Sequence, residues 1–579
     1  MDCALHFSAA RHVGSILPTP ARHQPLRNTP VAAHAAPTQP VAFQTHPSRY
    51  QHWKLSFEGD IATLVMAVQQ HLGQREGYEL KLNSYDIGVD IELADATQRI
   101  RFEHPEVRCV VVTGGLDRVF CAGANIVMLR TSTHGFKVNF CKYTNETRLY
   151  LEDASANSSV KFLAALNGTA SGGGYELAIA CDKILLADDR NSAVSYPEVP
   201  LLGVLPGTGG LTRITDKRKL RRDHCDAFST VAEGIKGKRA VEWNLVDGIA
   251  SLSKWNDTVK EWARKLADSV PQRASKGVEL DEIRCEASAD ARRYKHVTLE
   301  FDRAQRVVEL TIRAPDSGAK DAAEALAQGS GWWVLRAFRE LDDALCNLRF
   351  NEPDIALVLL RAKGPAATWS KMDELLSGGG NWFTTETRHL VKRVLKRLDN
   401  TAKSLYAICD EGTTWCGTGL ELALACDRTY VLDDEARPVT FAVTAANTGL
   451  FPMSNGLSRL QTRFLGTPAK VDEVLGTAGH FGAAQAHELG LDTYMPDAID
   501  WDDELRLAIE ERASFSPDAM TGMEANLRFA GPETMETKIF GRLSAWQNWI
   551  FQRPNAVGER GALTCYGTPN RPAFDVART

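Results

Sequence analysis

Two glutamates are the residues of this chain best suited to acid–base chemistry. One follows a run of glycines, and the other lies between two prolines. Glu176 follows the glycines at 172–174, and Glu198 lies between Pro197 and Pro200. Consecutive glycines let backbone N–H groups approach a ligand closely because no Cβ stands in the way. At a helix start those N–H groups lack partners and favour an oxygen that develops negative charge. The pattern predicts amides that polarise a substrate oxygen and carboxylates that move protons.

Simpler explanations exist for the same residues. The glycine run could bind a nucleotide phosphate or only pack a strand against a helix, but it has neither Gly-x-Gly-x-x-Gly nor Gly-Lys-Ser/Thr spacing. Glu176 could cap its helix, and Glu198 could pair with a surface arginine. We favour the catalytic interpretation because Leu177, Ala178 and Ile179 bury the neighbourhood of Glu176, and because the two prolines restrain the loop of Glu198.

Strand–turn–helix units must position these residues. The apolar run at 164–166, the glycines and the apolar run at 177–180 predict a strand, a turn and a helix. A predicted strand at 108–113 leads into a second turn of small residues at 120–126, with the sequence Phe-Cys-Ala-Gly-Ala-Asn-Ile. Further predicted elements are strands at 53–57 and 61–65 and a helix at 88–102. We therefore expect two turns with exposed amides.

Length and composition limit what such a site can serve. The 579 residues predict two or more domains, and 44% hydrophobic with 24% charged residues fits a globular enzyme. A net charge of −6 argues against a nucleic-acid partner, and no apolar run is long enough for a membrane span. Twelve scattered cysteines without Cys-x-x-Cys or zinc-type spacing predict reduced thiols in a cytoplasm and no metal site.

Four ordered motifs resemble the crotonase (enoyl-CoA hydratase) superfamily. They are residues 120–126, residues 172–178, Pro197-Glu198 and residues 206–210. The set is far more specific than any one of its members. The resemblance implies an α/β spiral of ββα turns, a CoA-thioester substrate and no cofactor.

The resemblance also implies roles for individual residues. The two backbone N–H groups that bind the thioester carbonyl in this superfamily match Ala124 and Gly173. The two glutamates that handle water and protons in the hydratases match Glu176 and Glu198. Asn125 stands where hydratases commonly carry an acidic residue, so we expect a difference in how the substrate is bound.

The second half of the chain repeats the first. Residues 340–353 repeat the pattern of 92–105, residues 417–427 that of 172–182, and residues 449–452 that of 203–206. We therefore predict two crotonase-like units in tandem. Thr418 matches Gly173 and Thr444 roughly matches Glu198, whereas Glu421 is retained. One working site in the first unit is expected, with the second unit as a scaffold and internal partner.

The predicted organisation has five parts. They are a disordered leader at 1–48, a catalytic unit at 49–270, a linker or surface insert at 271–295, a second unit at 296–513 and a helical C-terminal region at 514–579. The leader is rich in proline and poor in acidic residues. Dense apolar residues in the C-terminal region predict a homodimer contact or a cover over the acyl pocket.

Further stretches narrow the expected activity. Residues 81–90, 133–147 and 540–551 resemble superfamily members that open the ring of an aromatic acyl-CoA epoxide, adding two waters and releasing formate. Cys141 and Glu146 are the reactive residue types between the two turns, and one of them could lie near the aromatic ring of the substrate. An ordinary amphipathic helix with a buried cysteine is the favoured alternative. Tyr175 could donate to the epoxide oxygen or line the acyl pocket.

Other functions stay open. The chain could be a two-domain enoyl-CoA hydratase or isomerase, or a non-catalytic acyl-CoA-binding scaffold. The joint presence of Glu176, Glu198, Ala124 and Gly173 favours an enzyme. A hydratase–dehydrogenase is disfavoured because no Gly-x-Gly-x-x-Gly follows a strand in the second half.

Overall fold

A computed structural model describes residues 40–579. Most of the predicted leader, residues 1–39, lies outside the described residues. Residues 40–48 pack against the second unit: Val41 is buried, and its backbone exchanges two hydrogen bonds with the side chain of Asn351. Gln44 donates a hydrogen bond to Asp343. The prediction of a disordered leader therefore does not hold for residues 40–48.

The first unit contains a six-stranded and a four-stranded sheet, ordered β1-β2-β3-β5-β7-β10 and β4-β6-β8-β9. The strands are β1 (Trp53–Glu58), β2 (Ile61–Met66), β3 (Cys109–Gly114), β4 (Arg118–Cys121), β5 (Lys161–Leu166), β6 (Gly168–Ser171), β7 (Lys183–Ala187), β8 (Ala193–Ser195), β9 (Ile235–Lys236) and β10 (Gly248–Ala250). Only the β1–β2 and β8–β9 pairs are antiparallel. The central strands are almost wholly buried and apolar, as parallel strands covered on both faces require.

Helices connect these strands. They are α1 (Ile87–Phe102), α2 (Ile126–Thr131), α3 (His134–Asn157), α4 (Gly173–Ala180), α5 (Gly210–Asp216), α6 (Arg222–Thr230), α7 (Gly237–Glu242) and α8 (Trp255–Asp268). Helix α1 confirms the helix predicted at 88–102. It begins after Asp86, whose carboxylate accepts hydrogen bonds from the N–H groups of Gly88 and Val89.

The second unit repeats this plan with a seven-stranded sheet, β11-β12-β13-β14-β15-β16-β18, and a three-stranded sheet, β17-β19-β20. Its strands are β11 (Glu286–Ala287), β12 (Ala291–Arg293), β13 (Val297–Asp302), β14 (Val307–Arg313), β15 (Leu357–Lys363), β16 (Ser404–Cys409), β17 (Thr414–Cys416), β18 (Arg428–Val431), β19 (Thr440–Ala442) and β20 (His480–Phe481). Strands β11 and β12 extend the large sheet, so part of the predicted linker at 271–295 belongs to the second unit.

Its helices are α9 (Ala322–Gln328), α10 (Trp333–Phe350), α11 (Ala366–Ser377), α12 (Trp382–Asp399), α13 (Thr418–Leu424), α14 (Arg459–Arg463), α15 (Ala469–Leu475), α16 (Ala483–Glu488) and α17 (Trp501–Ser514). The C-terminal region adds α18 (Pro517–Leu527), α19 (Met535–Lys538), α20 (Ser544–Phe551), α21 (Pro554–Val557) and α22 (Ala562–Cys565). The predicted tandem α/β units and the helical C-terminal region are thus confirmed. No helix within residues 40–579 is long and apolar enough to cross a membrane.

The two units differ directly after their third long strand. In the first unit β3 is followed by the short strand β4 and the small-residue turn that ends at Asn125. In the second unit β15 is followed by α11, a helix, at the corresponding point. A whole helix therefore replaces one of the two amide-bearing turns.

Equivalent residues of the two repeats hold the units together from both sides. Phe102, the last residue of α1, packs in the core of the second unit, and Phe350, the last residue of α10, packs in the core of the first. The arginines beside them form buried ion pairs across the interface. Arg101 contacts Glu386 at 2.5 Å, and Arg349 contacts Glu146 at 2.9 Å. The interface therefore has an internal pseudo-twofold pattern.

The ion pairs predict a stability effect. Replacing Glu146 or Glu386 by Gln removes a buried negative charge while its arginines stay buried, so each change should lower the free energy of unfolding by about 3–5 kcal/mol. The measurement is guanidinium unfolding followed by tryptophan fluorescence. As a control, Glu510→Gln disrupts an exposed pair with Arg506 and should leave the midpoint nearly unchanged. Unaltered midpoints for both buried variants would contradict this account of the interface.

Candidate active site

The turn after β4 and the turn before α4 lie side by side. Gly123 has φ +92°, and a Cβ at that position would come within 3.0 Å of the Gly173 nitrogen. The backbone of Tyr85 fixes the first turn, since its N–H donates to Gly123 O at 3.0 Å and its carbonyl accepts from Asn125 N at 2.8 Å. Within residues 40–579 the N–H groups of Ala124 and Gly173 have no acceptor. Two free donors therefore stand next to each other.

Glu198 lies directly against the glycine turn. A Cβ on Gly172, whose φ is +53°, would lie 2.5 Å from Glu198 Oε1. Among the described residues Oε2 of Glu198 has no hydrogen-bond partner although it is buried. Burial raises the pKa of Glu198 to about 7, and the nearby charge of Glu176 adds to the increase. A carboxyl with this pKa can both accept and release a proton near neutrality.

Glu176 lies on the first turn of α4 and is fixed by the segment that follows β8. Its carboxylate accepts hydrogen bonds from Thr208 N at 2.9 Å, from Gly210 N at 2.8 Å and from the Thr208 hydroxyl. Burial raises the pKa of Glu176, while these donors act in the opposite direction. A side chain at 210 would clash, because its Cβ would lie 2.7 Å from Glu176 Oε1.

Thr208 and Gly210 hold Glu176 in place, and sequence reasoning assigned no role to them. The available signal was the Pro-Gly-Thr-Gly-Gly motif at 206–210, which contributed only to the family resemblance. A glycine that leaves room for a carboxylate, and a threonine that binds it, explain these residue types at this spacing.

Cys141 lies on α3 and is partly buried. Burial raises the pKa of its thiol to about 11, and the next contribution comes from the charge of Glu176. The structure therefore brings Cys141 near Glu176, in its protonated form at neutral pH. Phe140 and Tyr143 on the same helix are buried, which agrees with the amphipathic helix considered above, whereas Leu149 is exposed.

Glu146 is used differently from the expectation of a residue near the substrate ring. Both of its oxygens accept hydrogen bonds from Arg349, and one also accepts from Arg397 at 3.0 Å. Although burial alone would raise the pKa of Glu146, these two guanidinium groups lower it. The structure thus places Glu146 in the interface between the units, and not with Glu176 and Glu198.

Two further predicted site residues have structural partners. The hydroxyl of Tyr175 donates to Leu245 O at 2.7 Å, so it is not free to donate to an epoxide oxygen. Asn125 caps α2 by accepting from Met128 N at 2.9 Å, and its amide donates to Glu79 O at 2.7 Å. Asn125 therefore holds the turn that presents Ala124.

In the second unit a side chain of the same unit occupies the position that corresponds to the glycine turn before α4. Asp373, on α11, accepts hydrogen bonds from Thr418 N at 3.1 Å, from the Thr444 hydroxyl at 2.8 Å and from the Thr418 hydroxyl. Thr418 N corresponds to the free N–H of Gly173. Glu421 forms a buried ion pair with Arg459 at 3.2 Å. The N–H of Thr418 is thus already bound within the second unit.

Comparison with known proteins defines the class. The sequence model of the enoyl-CoA hydratase/isomerase family matches residues 79–292 and 337–545. The chain therefore belongs to this family, the crotonase superfamily, and carries two copies of its domain.

Individual relatives narrow the comparison. The chain is 52% identical over 556 residues to benzoyl-CoA-dihydrodiol lyase from Aromatoleum evansii, covering 95% of this chain and 99% of that protein. It is 28% identical over 191 residues to carnitinyl-CoA dehydratase from Proteus mirabilis, covering 33% of this chain and 69% of that one. Among solved structures, an enoyl-CoA hydratase from Geobacillus kaustophilus HTA426 aligns with a TM-score of 0.33 and 32% identity over 38% of this chain and 75% of that one.

The raised pKa of Glu198 predicts a pH-dependent stability. The folded protein keeps this proton up to pH about 7, whereas an ordinary glutamate releases it near 4.5. Protonation of Glu198 therefore contributes to the free energy of unfolding below pH 4.5. This contribution, about 3 kcal/mol, is lost as the pH rises through 7. Glu198→Gln should match wild type at pH 4.5 and be more stable at pH 8, as measured by thermal unfolding. If the unfolding temperatures of Glu198→Gln and wild type differed by the same amount at pH 4.5 and pH 8, the raised pKa of Glu198 would be contradicted.

Proposed function

We propose that this chain catalyses the reaction of its full-length relative, the opening of an aromatic ring held as a CoA thioester. The substrate is 2,3-epoxybenzoyl-CoA, two waters are added, and formate and 3,4-dehydroadipyl-CoA semialdehyde are released. The observation that carries this proposal is 52% identity over 95% of the chain, which includes the second unit. The carnitinyl-CoA dehydratase alignment covers only 33% of the chain, so it does not account for the tandem arrangement.

The free N–H groups of Ala124 and Gly173 are proposed to bind the thioester carbonyl oxygen. They are adjacent, and among residues 40–579 they have no acceptor. An oxygen between them would gain negative charge as the neighbouring carbons react, and one such preorganised donor is commonly worth about 2.7–4 kcal/mol in the transition state. The amides would thereby make the ring carbons beside the thioester reactive.

The two glutamates are proposed to share the proton transfers. Opening an epoxide needs an activated water and a proton for the departing oxygen, and the later carbon–carbon cleavage needs a proton taken from a hydroxyl. Glu198, with a free buried oxygen and a pKa near 7, is assigned as the base that activates water. Glu176, whose pKa is also raised by burial, is assigned as the proton donor.

Cys141 is kept as a second candidate for proton transfer. Its thiol is close enough to Glu176 for the charge of that carboxylate to raise its pKa further. With a pKa of about 11 the thiol can donate a hydrogen bond at neutral pH. Its role would become primary if the glutamates proved dispensable.

The glutamate assignment predicts that Glu176→Gln and Glu198→Gln each abolish formate release from 2,3-epoxybenzoyl-CoA. Binding of benzoyl-CoA should persist, because the amides that hold the carbonyl are unchanged. Formate is measured by a coupled assay and binding by calorimetry. A variant that released formate near the wild-type rate would lose its catalytic assignment.

The second unit supplies a matched control. Asp373 is also a buried carboxyl and lies against the start of α13, and burial raises its pKa to about 7. Asp373→Asn should leave turnover unchanged per folded molecule.

Wild-type activity with crotonyl-CoA, in the absence of formate release from the epoxide, would instead favour a two-domain enoyl-CoA hydratase.

A homodimer in the cytoplasm is the proposed working form. The scattered cysteines suit a reducing compartment. The C-terminal helices expose several large apolar side chains, including Met535 and Phe540, each 74% exposed, and Leu527 at 66%. A groove of about 480 Å³ between these helices is lined mainly by apolar residues, among them Trp546 and Ile550. Apolar surface of this kind is typical of subunit contacts.

The proposed homodimer predicts a solution mass of two chains by multi-angle light scattering. Phe540→Asp places a charge on the apolar C-terminal surface and should shift the protein to the mass of one chain. Glu510→Gln, on an exposed helix of the second unit, serves as the control and should leave the mass unchanged. A wild-type mass of one chain would refute the proposal.

A further inference from the structure

Tyr85 carries a buried hydroxyl group without a protein partner. The side chain is 1% exposed, and among the described residues its oxygen neither donates nor accepts a hydrogen bond. A buried hydroxyl without a partner destabilises a folded protein relative to the same ring without oxygen. Phenylalanine would fill this position equally well. A ligand that accepts a hydrogen bond from the hydroxyl group would explain why tyrosine is present.

The hydroxyl lies at the proposed carbonyl-binding turn. A Cβ added to Gly173 would overlap the Tyr85 hydroxyl oxygen, so this oxygen occupies the space where a side chain at 173 would stand. The backbone of the same tyrosine holds Gly123 and Asn125 in the other turn. Tyr85 therefore supports one amide-bearing turn and reaches the second with its hydroxyl.

The charges around Tyr85 keep it a hydrogen-bond donor. Burial raises its pKa well above the ordinary value, and Arg148 only partly opposes this effect. The Arg148 guanidinium lies 5.2 Å from the centre of the tyrosine ring and forms an ion pair with Asp90. The charges of Asp90, Glu176 and Cys121 raise the pKa of Tyr85 further. At neutral pH the phenol is thus protonated and its ring is held in place.

The second unit has lost both members of this arrangement. Trp333 stands where the repeat places Tyr85, and Thr418 stands at the position of Gly173. The Thr418 side chain there binds Asp373. A phenol facing a glycine therefore occurs in the unit with free amides and is absent from the unit whose amide is occupied.

We propose that the Tyr85 hydroxyl is a third hydrogen-bond donor to the substrate oxygen bound by the amides of Ala124 and Gly173. This inference rests on the proposed function, since it assigns the phenol to the same thioester oxygen. A hydrogen bond to an oxygen strengthens as negative charge develops on it. Tyr85 thus contributes more in the transition state than in the bound substrate, and it is a catalytic residue.

The test compares Tyr85→Phe with Tyr406→Phe. Tyr406, in the second unit, is also buried, and among the described residues its hydroxyl also lacks a partner, so both variants remove the same kind of group. Both variants should fold, and the unfolding temperature of each should equal or exceed that of wild type. Tyr85→Phe should reduce kcat for 2,3-epoxybenzoyl-CoA about 10²-fold, and Tyr406→Phe should leave it unchanged.

A second readout does not depend on turnover. Difference infrared spectroscopy with benzoyl-CoA labelled with ¹³C at the carbonyl reports how strongly the bound thioester is polarised. The carbonyl band should move to lower frequency on binding to wild type and to Tyr406→Phe, and should move less on binding to Tyr85→Phe. Equal band positions in wild type and Tyr85→Phe would overturn the assignment, whatever happens to kcat. A wild-type protein that shifts the band but releases no formate would refute the proposed reaction and leave the role of Tyr85 intact.

Discussion

The unpaired backbone N–H at the start of α4 is the constraint on which the site depends. A helix start always leaves such donors without an intrahelical acceptor, and a buried donor needs a partner. Among residues 40–579 the N–H of Gly173 has no acceptor and lies beside that of Ala124, whereas in the second unit Asp373 supplies the partner. The same local geometry therefore serves as a candidate ligand site in one unit and as an internal contact in the other.

Several groups around that donor are unfavourable in a folded protein. Glu198 has a buried oxygen without a partner, Glu176 is nearly inaccessible, and Tyr85 has a buried hydroxyl without a partner among residues 40–579. Perturbed carboxyl groups and unsatisfied polar atoms concentrate at functional sites because stability is set against function there. The surrounding framework must therefore be firm enough to hold these groups together.

The second unit provides that framework. Phe102 and Phe350 each pack in the core of the other unit, and Arg101 and Arg349 each bind a glutamate across the interface. These contacts fix α1 and α3, and α3 carries both Arg148 and Cys141. The second unit, whose Thr418 N–H is bound to Asp373, contributes packing that supports the first unit.

The local elements can be recognised in the sequence: the glycine turns, the strands around them, α1 and the tandem repeat are visible because their signals span only a few residues or recur along the chain. The partners of the site residues could not be recognised in this way. Glu146 and Arg349 are 203 residues apart, so no local pattern distinguishes an interface glutamate from a catalytic one. Likewise Thr208 reaches Glu176, and Asp373 reaches Thr418, only after the chain has folded. The sequence gives the chemical type of each side chain. The neighbours that raise its pKa or accept its hydrogen bond come close to it only through long-range packing.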